Sequence, residues 1–215
     1  MSFGEARLWS TFQGGQGKWN GYLDDYAFLA MAALDLSRGA QGSEECEKYL
    51  QHCQSWMVAI LKNFKDPSGL GFFFTSQDHE SLIQRPKSLF DQAIPSGSAV
   101  AWTCLAALVE LGRDQSPGIF AQEVENSVRA LFTLAEKAPY GLGEALCLSL
   151  LVAQGPVTVS GPSASQWIVH PHVFQKPTLE KGASSSYLVC HRNTCSLPLG
   201  SSEVVVVMKE KLWLR

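Results

Sequence analysis

The sequence predicts a mainly α fold of antiparallel helical hairpins with a small β-containing tail at its C-terminal end. Three observations carry this. Apolar residues recur at spacings of three and four through most of residues 21–155. Glycine and proline interrupt that rhythm at intervals about one helix long. After Gly155-Pro156 the pattern changes to short β-branched and aromatic runs.

The first twenty residues are Gly-rich and weakly patterned, and are expected to be irregular. The first helix is expected over LDDYAFLAMAALDL, where Tyr26, Leu29, Ala30, Ala33 and Leu34 share a face and Gly39 supplies a stop. For the second, Ser43 is the expected N-cap. Glu44 and Glu45 fall in the first turn, and an apolar face runs from Cys46 through Leu50, Cys53, Met57 and Ile60 to Phe64. Asp66-Pro67-Ser68-Gly69 then breaks the pattern, and Leu70 to Thr75 reads as a short aromatic extended, hairpin-like segment. The connection over 63–98 exceeds the ~12–15 residues of ordinary loops, which marks it as a functional segment. A third helix is expected from Ser98 to Leu111 and a fourth from Ser116-Pro117, with proline at the first helical position. A fifth is expected from Gly141 to Ala153. Beyond a boundary near 155, strands are expected at Val157–Val159, Gln166–Val169, Tyr187–Cys190 and Val204–Met208, so that 156–215 forms a small α/β or β tail.

Composition bounds the function. The chain has 215 residues, 46% hydrophobic and only 17% charged, against roughly 25% charged in typical soluble domains. Such a chain carries much internal surface or packs against neighbouring helices. The net charge is −3 and the pI about 5.9. With no Lys/Arg cluster to track phosphates, nucleic acid is not an expected partner. The N-terminus lacks a signal-peptide core, and the longest apolar runs fall far short of the ~20 residues of a membrane span. The expected location is therefore cytoplasmic, with no membrane association. Of six cysteines, Cys46, Cys53, Cys104 and Cys147 lie in helical apolar patterns, where thiols act as small hydrophobes. A disulfide framework is not expected. Cys190 and Cys195 read as a thiol pair near a turn. A zinc site drawing on His170, His172 or His191 and a redox pair are the other readings.

Three ordered segments carry a family resemblance: Gly21-Tyr22-Leu23-Asp24-Asp25-Tyr26-Ala27-Phe28-Leu29; then Gly71-Phe72-Phe73-Phe74-Thr75 with Asp78-His79-Glu80, Arg85-Pro86-Lys87 and Asp91-Gln92-Ala93-Ile94-Pro95-Ser96-Gly97; then Cys190-His191-Arg192-Asn193-Thr194-Cys195-Ser196-Leu197-Pro198. In this order and spacing the chain resembles the C-terminal part of the thioredoxin-domain-containing family that includes spermatogenesis-associated protein 20. The resemblance implies a parent with a thioredoxin-like domain followed by an (α/α)6 barrel similar to those of N-acylglucosamine 2-epimerases and six-hairpin glycosidases. On that reading residues 21–155 are a partial toroid, since six hairpins need twelve helices and about five are expected here. The chain departs from the family at Gln92, where glycine is usual, near Ser98, where asparagine is usual, and in a shortened segment between Val157 and the cysteine pair.

Within this frame Asp24, Asp25, His79 and Asp91 are the candidate catalytic residues, and Arg85, Lys87, Ser96, Phe73 and Trp102 the candidate substrate-binding residues. Adjacent carboxylates can raise one another's pKa and suit acid/base work; equally, Asp24 and Asp25 can cap a helix. His79, between Asp78 and Glu80, suits proton transfer near neutral pH or is part of a solvated loop. Arg85 with Asp91 can fix the loop, and Ser96 can hold a hydroxyl or cap the next helix. Phe73 and Trp102 offer a stacking surface or belong to the core. No cofactor and no metal is expected, Cys190 and Cys195 being the only weak metal candidates. The expected partners are a carbohydrate ligand and a chain supplying the remaining barrel helices or the thioredoxin-like domain. The expected function is that of a carbohydrate-linked module inactive alone, the alternatives being a non-catalytic interaction module or a redox-linked accessory segment.

Overall fold

The structure is a computed structural model that describes residues 7–80, 83–114, 118–167, 170, 172–176, 186–192 and 194–212. It is mainly helical. Among the described residues, no helix is long and apolar enough to cross a membrane.

The segment expected to be irregular carries a β-hairpin from Trp9 onward. Strands β1 (Trp9–Gln13) and β2 (Gln16–Asn20) pair antiparallel, with Gln13 opposite Gln16. Gly14 and Gly15 form the two-residue turn at φ +61° and +79°, a conformation that favours glycine at both places. The sequence hides this hairpin because β1 is exposed throughout and β2 largely so. With no face turned to a core, no apolar alternation is required.

Five helices follow. α1 (Leu23–Gly39) buries Leu23, Tyr26, Ala27, Ala30, Ala33 and Leu34, the stripe its spacing predicts. α2 (Ser43–Asn63) buries Cys46, Leu50, Cys53, Met57 and Ile60, and its N-cap is Gly42 rather than Ser43. α3 (Gly97–Glu110) starts on Ser96, whose Oγ accepts from Ala99 N at 3.2 Å. Eleven of its 14 residues are buried, as expected of a helix apolar on all sides. α4 (Ile119–Lys137) starts after Gly118; the expected start at Ser116-Pro117 lies outside the described residues. α5 (Gly143–Gln154) ends at Gly155. Helix α1 packs on α2 and α3, and α3 on α4 and α5. Alanines at 27, 30, 33, 99, 101, 106 and 107 keep the α1 and α3 surfaces small enough for close approach.

The aromatic segment after α2 forms no strand. It makes one antiparallel bridge, Lys65 with Phe72, and Phe73 N donates to Phe64 O at 2.8 Å.

The tail holds a four-stranded sheet in the order β4-β3-β5-β6: β3 (Val157–Ser160), β4 (Val173–Gln175), β5 (Leu188–His191) and β6 (Thr194–Cys195). β3 and β4 are parallel and the other pairs antiparallel. Two expected strands differ. Gln166 and Trp167 belong to a 3₁₀ turn, Ala164–Trp167, while Ile168 and Val169 lie outside the described residues. Val204–Met208 lies inside helix α6 (Ser201–Leu212), which buries Val204 and Met208. These two residues are four apart, so one helical stripe covers the sheet, and that burial outweighs the β-propensity of the valine run. The tail has its own apolar core around Val157, Val159, Val173 and Val189. It is joined to the helices by Phe174 and by Arg38, which donates to Val173 O (3.1 Å) and His170 O (2.7 Å).

Candidate functional site

The loop between α2 and α3 lies across the N-terminal ends of α1, α3 and α5. Leu23 N, at the start of α1, donates to Phe74 O at 2.9 Å, and Phe74 N to Pro86 O at 2.8 Å. Tyr22 stacks on Phe74 with ring centroids 4.9 Å apart. Three helix N-termini, each carrying partial positive charge, thus face the loop that holds most of the candidate residues.

Asp91 joins two of those helix starts. Its Oδ1 accepts from Ser96 N at 2.8 Å and its Oδ2 from Glu144 N, in the first turn of α5, at 2.9 Å. Both oxygens are therefore committed to backbone, and the expected pairing of Asp91 with Arg85 does not occur. Asp25 Oδ2 accepts from Tyr22 N at 2.8 Å, so it caps α1, the bland alternative of the two read from sequence. Ser96 is likewise a cap.

The expected binding groups are also structural. Arg85 lies over the Phe73 ring at 4.1 Å and donates to Thr75 O. Lys87 lies on the same ring at 5.2 Å and pairs with Asp66. Phe73 is thus clasped by two cations rather than offered to a ligand. Hydrogen bonds from Lys87 and then Ser68 pull the Asp66 carboxyl down to about 2. Trp102 is fully buried. Its Nε1 donates to Glu123 Oε1 at 3.1 Å, and Glu123 Oε2 pairs with Lys65 at 2.6 Å, so Trp102 offers no stacking surface.

Asp24 and His79 remain. Asp24 Oδ1 lies against the first residue of α3, where a β-carbon on Gly97 would come within 2.2 Å of it; only glycine leaves the carboxylate that place. Burial first, and the neighbouring Asp25 second, raise the Asp24 pKa. Among the described residues, none donates a hydrogen bond to the Asp24 carboxylate. The half-buried His79 ring rests on Tyr22 at 5.2 Å, and neither ring nitrogen has a hydrogen-bond partner. Two buried hydroxyls that sequence reasoning missed, Thr75 Oγ1 and Ser98 Oγ, are also without partners. Their signal was position: Thr75 closes the aromatic run and Ser98 opens α3. Glu123 gave a weaker one, a carboxylate on the apolar side of α4.

In the tail, Cys190 and Cys195 form a disulfide between paired positions of β5 and β6, not the thiol pair expected. Their separation across two adjacent strands could not be read without the register. His191 Nε2 bonds Gln154 O at 2.7 Å, and His172 N donates to His170 Nδ1 at 3.1 Å. Among the described residues, no group of three or more His, Cys, Asp or Glu is placed to hold a metal ion.

No protein-family model matches this sequence, and no curated protein matches it either.

Proposed function

We propose that this chain is a carbohydrate-linked helical module, a partial (α/α) toroid resembling the C-terminal part of a thioredoxin-domain-containing, six-hairpin glycosidase-like protein, and that it binds a sugar without turning it over on its own. The observation that carries the second half is the commitment of carboxylates. Glycoside hydrolysis needs two carboxyl groups on opposite sides of the scissile bond. Asp25 caps α1 and Asp91 bridges the starts of α3 and α5, which leaves Asp24 without an opposed carboxylate among the candidates.

The toroid reading is supported by the helix packing. α3 touches both α1 and α5, α2 packs on α1 and α3, and α4 packs on α3 and α5, contacts compatible with successive hairpins. Phe132, Leu146 and Leu150 are exposed on α4 and α5, the kind of surface a further hairpin or a partner chain covers. The carbohydrate link is supported by Asp24, His79, Thr75 and Ser98. Their side-chain polar atoms, at the loop and helix ends, have no hydrogen-bond partner among the described residues, and unpaired donors and acceptors of this kind suit sugar hydroxyls.

A chemical-shift titration with reducing sugars and short oligosaccharides tests this. Shifts confined to amides near Asp24, Thr75–His79 and Gly97-Ser98 are expected. No shift with any sugar, or shifts only in the tail, removes the carbohydrate link.

A further inference from the structure

The disulfide in the tail sits where a staple does least for global stability. Cys190 and Cys195 are five apart in sequence, and a cross-link closing so short a loop removes little entropy from the unfolded chain. Locally it is a major restraint. β6 is two residues long and exposed at both. Apart from its pairing with β5, it is held by Ser196, whose N donates to Val189 O at 2.9 Å and whose Oγ accepts from Val189 N at 3.2 Å.

The turn that the disulfide closes reaches onto α5. His191 pairs with Thr194, so the connection is two residues long, and Arg192 within it holds φ +53°, a region an arginine seldom occupies. From there Arg192 Nη2 donates to Ala153 O at 2.5 Å, while His191 Nε2 meets Gln154 O at 2.7 Å. Ala153 and Gln154 are the last residues of α5, whose final carbonyls have no partner within the helix, and a cation there also favours the helix dipole. The hairpin that the disulfide closes is therefore the C-terminal cap of α5 and one of the ties between sheet and helices.

The remaining cysteines contrast with this pair. Cys46, Cys53 and Cys104 are fully buried free thiols. All three are thiols out of reach of solvent, whereas Cys195 is exposed and Cys190 half-buried. Exposed disulfides are the labile ones in exchange.

We propose that Cys190–Cys195 is a thiol–disulfide exchange site for an external dithiol, and that its redox state sets whether the β5–β6 turn caps α5. A thiolate of the dithiol attacks Sγ of the exposed Cys195. The new S–S bond forms as the Cys190–Cys195 bond breaks, and Cys190 leaves as a thiolate that takes a proton from solvent. The second thiolate of the dithiol then attacks its own sulfur in the mixed disulfide and expels Cys195, which is protonated in turn. The dithiol becomes a disulfide and two electrons pass to the chain. Once reduced, the turn is free to leave the left-handed conformation at Arg192, and the caps on Ala153 and Gln154 are lost. β3–β5 pairing and the tail core remain, since neither uses the bond.

The test uses the full chain under native conditions with dithiothreitol as the dithiol, followed by alkylation and peptide mass spectrometry. Cys190 and Cys195 are expected to become labelled within minutes at millimolar reductant, while Cys46, Cys53 and Cys104 stay unlabelled. Cys147, exposed and free, is labelled in both states and serves as the internal standard. Hydrogen exchange at Gly155 and in Val189–Ser196 is expected to rise about tenfold or more on reduction, with α1–α3 unchanged. Arg192→Ala, with the disulfide intact, is expected to raise exchange at Gly155 alone. Three results would overturn the proposal: reduction only in denaturant, exchange at Gly155 unaffected by reduction, or a reduced pair that stays as thiols after incubation with excess oxidised glutathione.

Discussion

Two aspartates a few residues from helix starts behave in opposite ways because of what meets their oxygens. Asp91 accepts from two backbone N–H groups that no helix satisfies internally. Caps of this kind contribute ~0.5–2 kcal/mol each, so Asp91→Ala is expected to cost about 2 kcal/mol in urea unfolding; an unchanged midpoint would show that the bridge is not made. Asp24 has its carboxylate desolvated against Gly97. Its raised folded pKa means that the folded state binds more protons than the unfolded state just above the ordinary carboxylate value, about 3.9. Stability attributable to Asp24 therefore falls as pH rises from there through the folded pKa. Asp66 has the reverse sign: depressed to about 2 by Lys87 and Ser68, it stabilises the fold above about pH 4 and loses that contribution as pH falls towards 2. Asp24→Asn should flatten the first trend and Asp66→Asn the second, in urea midpoints measured across pH 2–7. If neither substitution changes the pH profile, the environments assigned to both carboxylates are wrong.

At the scale of elements, α3 packs on α1, α4 and α5; its buried polar anchor is the Trp102–Glu123–Lys65 chain joining α3, α4 and the loop, and Thr103 Oγ1 donates to Glu144 Oε1 on α5 at 2.9 Å. Trp102→Phe leaves part of a buried carboxylate unpaired and is expected to cost about 1–3 kcal/mol. A double-mutant cycle with Glu123→Gln should show coupling of at least 0.5 kcal/mol, the range for residues in contact; strict additivity would mean that the indole–carboxylate bond contributes nothing. Helices α1, α2, α4 and α5 were legible because each buries a stripe, and burial imposes a period that sequence displays; α3, apolar on all sides, was legible from its alanine-rich apolar run between Gly97 and Gly112. α6 was misread because four consecutive valines carry β-propensity, while the stripe that decides the matter is only Val204 and Met208. The N-terminal hairpin escaped because strands with no buried face need no pattern. For the candidate site, the sequence pointed to the loop and the helix starts, but which carboxylates become caps depends on backbone groups brought near by the fold. Thr75, Ser98 and Glu123 stand out only once their burial is seen.

For the whole molecule, the surface of α5 stands out: the helix has a single charged residue, Glu144, and exposes Leu146 and Leu150. Leu146→Glu with Leu150→Glu is expected to leave stability within ~0.5 kcal/mol, as exposed positions allow, and to lower the scattering of concentrated solutions. Unchanged scattering would mean that this face is not where chains meet. The proposed module holds polar groups for a sugar but not a catalytic pair. This is tested most directly by the turnover of purified protein on a panel of aryl glycosides and reducing sugars, run beside Asp24→Asn. No turnover above background is expected from either protein. Hydrolysis or epimerisation at an ordinary enzymatic rate, about 1 s⁻¹ or faster, that Asp24→Asn abolishes would contradict it.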